Sequence, residues 1–366
     1  MASPVLYLAI TNHGFGHATR TASIAAEIKR LNPDISIILA TTSPRSVIEA
    51  YFPGKWIHRQ RSFDCGVIQS DSITMDLPGT LAKLRDIREK SAKLIASEAK
   101  WLEQLRVGLV LGDIPPMVAP IAKAAGLPCW MMGNFGWDFI YEAWVDEYPD
   151  FAEEVAWIRS CFGQCDRLFR MPFSEPMAAF PHIEDVGLTG VKPRVGMDVV
   201  RSAFKLQVPR EKIVMLTFGG LGLNRIPYEN VNLFPDYKFI CFDLNAPDLP
   251  NLIRVDDRYY RPIDFAPLIG RLISKPGYST FSEACRYDVP IVSLTREGFA
   301  EAPILIQGIQ DYVPHQVVES ETFFTGKWEF LREPLIEPRT DKRFTKDGTE
   351  TIARAVVEYF QGNTGD

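Results

Sequence analysis

Val5-Leu-Tyr-Leu-Ala-Ile10, then Thr11-Asn-His-Gly-Phe-Gly16, then the run from Ala18 to Leu31, is the stretch whose reading decides the fold. The apolar hexamer reads as a buried strand, the two glycines as a tight turn, and Ala22, Ala25, Ile28 and Leu31 recur at helical spacing. A second strand, Ile35 to Ala40, follows Asn32-Pro33-Asp34. Strand, helix and strand at this length make a βαβ crossover, so a parallel sheet is expected.

The same alternation continues outward. A long amphipathic helix is expected over Leu81–Leu105, a strand over Val107–Leu111, a helix ending at Gly126, and a strand over Pro128–Met132. Between Asp185 and Val208 the alternation stops in favour of Gly, Pro and basic residues, which predicts an exposed linker. A second βα series starts at Lys212–Phe218 and passes through Gly219-Gly220. Its strands are expected at Lys238–Phe242, Leu252–Val255, Arg271–Ser274 and Ile291–Leu294, with its strongest helix at Ser279–Tyr287. A last helix is expected at Gly348–Tyr359. The fold class is therefore α/β with two Rossmann-like domains, 1–188 and 189–346, and a C-terminal helix and tail, 347–366, that can pack back on the first domain.

Bulk properties agree with two ordinary cores. The chain has 366 residues, 46% hydrophobic and 23% charged, above the size at which a single core usually stops growing. Forty basic and forty-six acidic residues give a net charge of -6 without a dense Lys/Arg cluster, which argues against a nucleic-acid partner. The apolar run at residues 5–10 is too short for a signal peptide or membrane span, so a cytoplasmic protein without a transmembrane segment is expected. Peripheral membrane contact and oligomeric state stay open. The six cysteines are scattered; Cys161 and Cys165, expected on one helix, match neither a zinc site nor a redox pair, so free thiols are expected.

Two glycine turns open the two halves, each a candidate anion site at a helix N-terminus. The first lacks the third glycine of a dinucleotide fingerprint, having Thr19 there, and no acid ends the second strand, which argues against NAD. It carries His13 and His17 at the carboxyl edge of the sheet, where ligands of such folds bind. His17 is read as a catalytic or binding group or as a helix-capping one; His13 fits a loop-filling role better. In Ser274-Lys-Pro-Gly277-Tyr-Ser279-Thr280-Phe-Ser-Glu283, the hydroxyls and amides suit a pyrophosphate and Glu283 suits ribose hydroxyls. A capping box of Ser279 or Thr280 with Glu283 is the alternative. There is no phosphate-loop, His-Glu-x-x-His or Gly-x-Ser-x-Gly motif.

Gly14-Phe-Gly-His-Ala-Thr-Arg20, Gly133-Asn-Phe-Gly-Trp-Asp-Phe-Ile-Tyr141, Phe218-Gly-Gly220 and Ile273-Ser-Lys-Pro-Gly-Tyr-Ser-Thr-Phe-Ser-Glu283 together carry a family resemblance over nearly the whole chain. The sequence resembles the glycosyltransferase-like domain fused ahead of plant L-arabinokinases and its stand-alone bacterial relatives. More distantly it resembles the peptidoglycan N-acetylglucosaminyltransferases and the UDP-sugar hydrolase of pseudaminic acid synthesis. The resemblance implies a GT-B fold and a nucleotide-sugar donor, with His17 matching the loop histidine used as base and Glu283 the ribose-binding glutamate. It does not extend to a kinase part, so kinase activity is not expected to carry over.

Departures are Pro276-Gly277-Tyr278, in place of the usual Ser-Gly-Ala run, and Arg296 to Glu301, which lacks the His- and Gln-rich sugar segment. The expected activity is inverting, metal-independent transfer from a nucleoside diphosphate donor, UDP-linked, to a hydroxyl acceptor, with no cofactor. The alternatives are a nucleotide-sugar hydrolase and a non-catalytic binder. His17 is the expected base. Gly219, Gly220, Gly277, Ser279, Thr280 and Glu283 are expected to hold the donor, and His13, Gly16, Asp113, Trp137 and Asp138 to line the acceptor side or the cleft. Trp137 and Asp138 are read either as acceptor wall or as packing.

Overall fold

Predominantly apolar runs such as Leu6–Ile10 and Ile291–Leu294 are buried along their whole length, as strands of a sheet covered on both faces must be. The computed structural model describes residues 3–69, 75–218 and 226–362; the expected donor residues Gly219 and Gly220 lie outside them. The first sheet contains β1 (Val5–Ile10), β2 (Ser36–Ala40), β3 (Ile57–Arg59), β4 (Leu109–Asp113), β5 (Cys129–Gly133), β6 (Arg167–Arg170) and β7 (Ile183–Asp185). Its order is β3-β2-β1-β4-β5-β6-β7, with every pairing parallel.

The second sheet contains β8 (Ile213–Leu216), β9 (Lys238–Cys241), β10 (Leu252–Arg254), β11 (Arg271–Ser274), β12 (Ile291–Leu294) and β13 (His315–Val318). Its order is β10-β9-β8-β11-β12-β13, again all parallel. In both sheets the order reverses beside the first strand, between β1 and β4 and between β8 and β11. Such switch points open a crevice at the carboxyl ends of the strands. Ile10 is in register with Asp113, so the first crevice lies between the glycine loop and the end of β4.

Most expected elements occur within a few residues of their predicted bounds. The long helix starts earlier, at Leu77, because the Asp76 side chain accepts the Gly79 amide and a proline fits the first turn. Cys165 lies beyond the helix Phe151–Phe162 that carries Cys161, and all six thiols are free. No helix among the described residues is long and apolar enough to cross a membrane.

The exposed linker expected at 185–208 requires correction in its first part, while most of residues 191–208 is exposed or half-buried. Val186–Gly190 is buried, and Met197–Ala203 is a helix. The buried segment runs between two helices, Tyr278–Arg286 and Gly348–Gly362. Thr189 O accepts from Ser282 Oγ (2.8 Å), Gly190 O accepts from Arg286 Nη1 (2.8 Å), and Gly190 N donates to Thr349 Oγ1 (2.9 Å). The last helix then packs on the helix Gly16–Leu31 of the first half, with Tyr359 OH donating to Gly108 O at 3.0 Å. A crossing backbone has peptide groups to satisfy, and here helix side chains satisfy them.

The closest point of this crossing sets a test. A Cβ on Gly348 would stand 2.1 Å from Gly187 O and 3.1 Å from Leu188 O, both backbone atoms. Gly348→Ala should therefore cost about 1–3 kcal/mol in urea unfolding. Gly362→Ala, where an added Cβ meets nothing within 4 Å, should stay within about 0.5 kcal/mol of the parent.

Candidate functional site

His17 enters the first turn of the helix Gly16–Leu31, and three residues on the same helix face carries Arg20. Both reach Asp113, which ends β4 and is fully buried. His17 Nδ1 lies 2.8 Å from Asp113 Oδ1; Arg20 Nε donates to Oδ2 at 2.7 Å while its Nη2 contacts Oδ1; Thr21 Oγ1 donates to Oδ2 at 3.0 Å. Arg20 Nη2 also stands 2.9 Å from His17 Nδ1, so two donors share one carboxylate oxygen, the strongest acceptor present. With Nδ1–H given to Asp113, the lone pair of His17 stays on Nε2. Burial pushes the Asp113 carboxyl up, but Arg20 and His17 outweigh it and hold it well below the usual carboxylate range.

The loop before His17 is held from behind. Thr11 Oγ1 donates to the buried Asp64 and accepts from Trp137 Nε1 at 2.8 Å, and Asn12 N donates to Asp64 Oδ1 at 2.7 Å. Trp137 is fully buried and stacked on Tyr141, so it braces the loop and does not line the cleft; Phe135, edge-on to His17 at 5.9 Å, lines it instead. Asp138 is likewise turned away, paired with Arg159 at 3.2 Å on the helix Phe151–Phe162. His13 lines the cleft, but its Nδ1 accepts from Val67 N at 3.3 Å. Burial, with the cations Arg296 and Lys275 nearby, lowers its pKa well below the ordinary histidine value, so it is neutral with its proton on Nε2.

Across the crevice, the helix Tyr278–Arg286 begins at Gly277 with no side-chain cap and no acid in its first turn. The capping box considered for Ser279, Thr280 and Glu283 is therefore absent, and the first amides remain available to an anion. Ser279 Oγ donates instead to Gly16 O at 2.9 Å, joining the two halves. Gly16 permits the approach, since a Cβ there would be 3.2 Å from Ser279 Oγ.

Glu283 faces a cavity of about 570 Å³ shared with Tyr51, Thr217, Phe242, Asp243 and Thr280. Burial pushes its carboxyl up to about 7, against the opposing pull of Arg261, the Val191 amide and Arg286. A second cavity of about 130 Å³ adjoins, lined by His17, Arg20, Gly277, Ser279 and Arg296.

Sequence reasoning brought together His17, Asp113, Gly16, Gly277, Ser279, Thr280 and Glu283, but not the residues that tie them. Arg20 Nη1 donates to Asn134 Oδ1 at 3.2 Å, and Asn134 Nδ2 donates to Glu301 Oε1 at 2.7 Å. One polar chain thus runs from His17 through Asp113, Arg20 and Asn134 to Glu301 in the other half. The i, i+3 spacing of His17 and Arg20 was the available signal; nothing local marks Asn134 or Glu301.

No family model matches the chain. It is 28% identical over 328 residues to an L-arabinokinase of Arabidopsis thaliana, covering 87% of this chain and 31% of that protein, so it spans about a third of the curated relative's length. Three solved structures resemble it. Phytolacca americana UGT2, complexed with UDP-2-fluoro-glucose and pterostilbene, has a TM-score of 0.60 at 11% identity, over 90% of this chain and 89% of that one. Os79 of O. sativa, with U2F and trichothecene, has a TM-score of 0.60 at 13% identity, over 89% of each chain. UGT71G1 of Medicago truncatula, complexed with UDP-glucose, has a TM-score of 0.59 at 11% identity, over 97% of this chain and 98% of that one. Together with the two parallel sheets and their opposed switch points, these likenesses establish that the chain has the GT-B fold of two Rossmann-like domains.

Proposed function

We propose that this chain is a glycosyltransferase that moves a sugar from a UDP-linked donor to a hydroxyl acceptor, with inversion and without a metal. One juxtaposition carries the reading: the His17–Asp113 pair on one wall of the crevice and the uncapped helix N-terminus at Gly277 on the other, joined by the Ser279–Gly16 hydrogen bond. The UDP-sugars in the complexes of similar fold support the same donor class.

In this reading the nucleoside occupies the larger cavity, with Glu283 accepting from ribose hydroxyls. The diphosphate meets the amides of Gly277 to Thr280 and the Thr280 hydroxyl, with Gly219 and Gly220 as further contacts, while the Ser279 hydroxyl stays on Gly16 O. His17 Nε2 takes the acceptor's proton as the acceptor oxygen bonds to the anomeric carbon. The bond from that carbon to the diphosphate breaks on the opposite side, and its electron pair leaves on the diphosphate oxygen. Helix-end amides and the Thr280 hydroxyl stabilise that charge where it develops. Asp113 holds the imidazole in the tautomer that leaves Nε2 free, as an orienting carboxylate does in a catalytic triad.

Release of UDP from UDP-sugars, measured with and without a panel of hydroxyl acceptors, tests the reading; release that ignores every acceptor would make the protein a hydrolase. His17→Ala should lower kcat about 10²-fold or more while the Kd for UDP stays within about twofold, as expected for loss of a general base. Matching losses in both would assign His17 to binding. Asp113→Asn should lower kcat too, and in addition cost about 3–5 kcal/mol of stability, because buried Arg20 loses its counter-charge.

Glu283 supplies a pH test. Its folded carboxyl titrates near 7 against an ordinary value of 4.5, so between these values the folded chain keeps a proton that the unfolded chain has released. Stability must then fall as pH rises through that window. Glu283→Gln should raise the melting temperature at pH 8 and leave it unchanged at pH 4. In the wild type, UDP binding should strengthen as pH rises through about 7, and Glu283→Gln should abolish that rise and weaken binding by about 1.5–3 kcal/mol. Unchanged affinity across pH in both proteins would remove Glu283 from the donor site.

A further inference from the structure

The loop from Thr295 to Glu301, after β12, reaches out of the second domain into the first. Phe299 is buried within the apolar cluster of the first sheet, Trp144 Nε1 donates to Gly298 O at 2.9 Å, and Asn134 Nδ2 donates to Glu301 at 2.7 Å. On this braced loop the Arg296 guanidinium lies 4.1 Å from the centre of the Phe299 ring, which in turn stacks on His13 at 5.8 Å and 10°. Arg296 lines the smaller cavity beside His17, Lys275 and Ser279.

Its Nε and Nη2 are buried and have no hydrogen-bond partner among the described residues. Buried donors are nearly always paired, so an unpaired pair on one side chain calls for an explanation. Elsewhere in this chain the same two atoms form the edge that grips a carboxylate side-on. Arg59 holds Glu98 at 3.0 and 2.7 Å, Arg170 holds Asp185 at 2.7 and 3.0 Å, and Arg30 holds Glu27 at 2.8 and 2.7 Å. Glu301, the nearby acid that acts on Arg296 through space, has its Oε1 engaged by Asn134.

Arg296 shares the smaller cavity with the diphosphate amides but enters it from the next strand. The amides of Gly277 to Thr280 follow β11, whereas Arg296 follows the neighbouring strand β12, in register with it at Ser274 and Ser293. Adjacent strands are about 4.8 Å apart, which sets the guanidinium beside the diphosphate amides and not on them. Arg296 also belongs to the same domain as Glu283 and Gly277, so it faces what the donor brings.

We propose that Arg296 receives a carboxylate on the donor's sugar through its Nε and Nη2, so that the site selects a hexuronate over a neutral hexose; this rests on the nucleotide-sugar reading above. A neutral sugar offers hydroxyls in place of two charged, coplanar oxygens and matches the guanidinium fork less well. Phe299 holds the fork flat and the loop contacts keep it from turning outward, so its donors are oriented before the ligand arrives.

The test is calorimetric titration of the wild type, Arg296→Leu, Arg296→Gln and Arg296→Lys with UDP, UDP-glucose and UDP-glucuronate, and of the UDP-saturated proteins with free glucuronate. The wild type should bind UDP-glucuronate about 10- to 100-fold more tightly than UDP-glucose, the range for a charged, bidentate hydrogen-bonded pair. Arg296→Leu and Arg296→Gln should lose that preference, Arg296→Lys should keep part of it, and UDP itself should bind all four alike. Intact UDP binding also certifies that each variant is folded. Equal affinity of the wild type for both sugars overturns the proposal, as does a matching loss of UDP affinity in the variants, which would put Arg296 on the diphosphate. Arg296-dependent binding of free glucuronate without discrimination between the UDP-sugars would move the carboxylate to the acceptor and overturn the donor assignment. Failure of the wild type to bind UDP at all would remove the nucleotide-sugar reading and this proposal with it.

Discussion

Burying a carboxylate at the end of a central strand costs several kcal/mol unless a counter-charge and hydrogen bonds meet it. Asp113 has no exposed surface, and it meets that cost with a side-on Arg20, the imidazole N–H of His17 and the hydroxyl of Thr21. The arrangement depends on register: Ile10 pairs with Asp113, so the loop leaving β1 must pass over the end of β4. With that carboxylate holding Nδ1 of His17 from the first turn of the following helix, the imidazole lines the crevice.

Arg20 extends the constraint beyond its own domain. Besides Asp113 and Asn134 it lies 5.3 Å from the centre of the Tyr278 ring in the second domain. Tyr278 is buried there beside Thr189, on the segment that crosses between the domains. Ser279 meets Gly16, Glu301 meets Asn134, and the last helix returns to the first domain. The geometry of the crevice is therefore set by direct contacts between the two walls, the Asn134–Glu301 and Arg20–Tyr278 ones buried, a stiffer device than a solvent-exposed hinge.

Charge within the crevice is divided by partner. Arg20 is neutralised where it stands, so it orders the site without attracting a ligand. Arg296 sits over Phe299, and burial lowers its pKa with Glu301 only partly opposing. The helix end at Gly277 adds the partial positive charge of free amides without any acid to cancel it. An incoming anion thus meets backbone dipoles at one point and a rigid cation at another, an arrangement that rewards a ligand with two separated negative groups.

The local pattern of this sequence determined the strands, the first glycine turn and the doubled α/β plan, because period-3.6 helices and continuous apolar strands leave traces within a dozen residues. It also singled out His17, Asp113, Ser279 and Glu283, since polar residues at the carboxyl ends of parallel strands have one crevice to face. Tertiary structure alone decided the rest. Trp137 and Asp138 could be read from their motif as acceptor wall or as packing; the Trp137 ring edge binds Thr11 and Asp138 pairs with Arg159, which decides for packing. The stretch after Asp185 looked like an exposed linker from its glycines and prolines; two helices far along the chain bury its first part, Val186–Gly190, and leave most of 191–208 exposed or half-buried. Asn134 and Glu301, 167 residues apart, become partners only when the domains meet. Sequence spacing reports what a residue's own element demands, while burial and pairing across a crevice depend on neighbours that the chain brings in from far away.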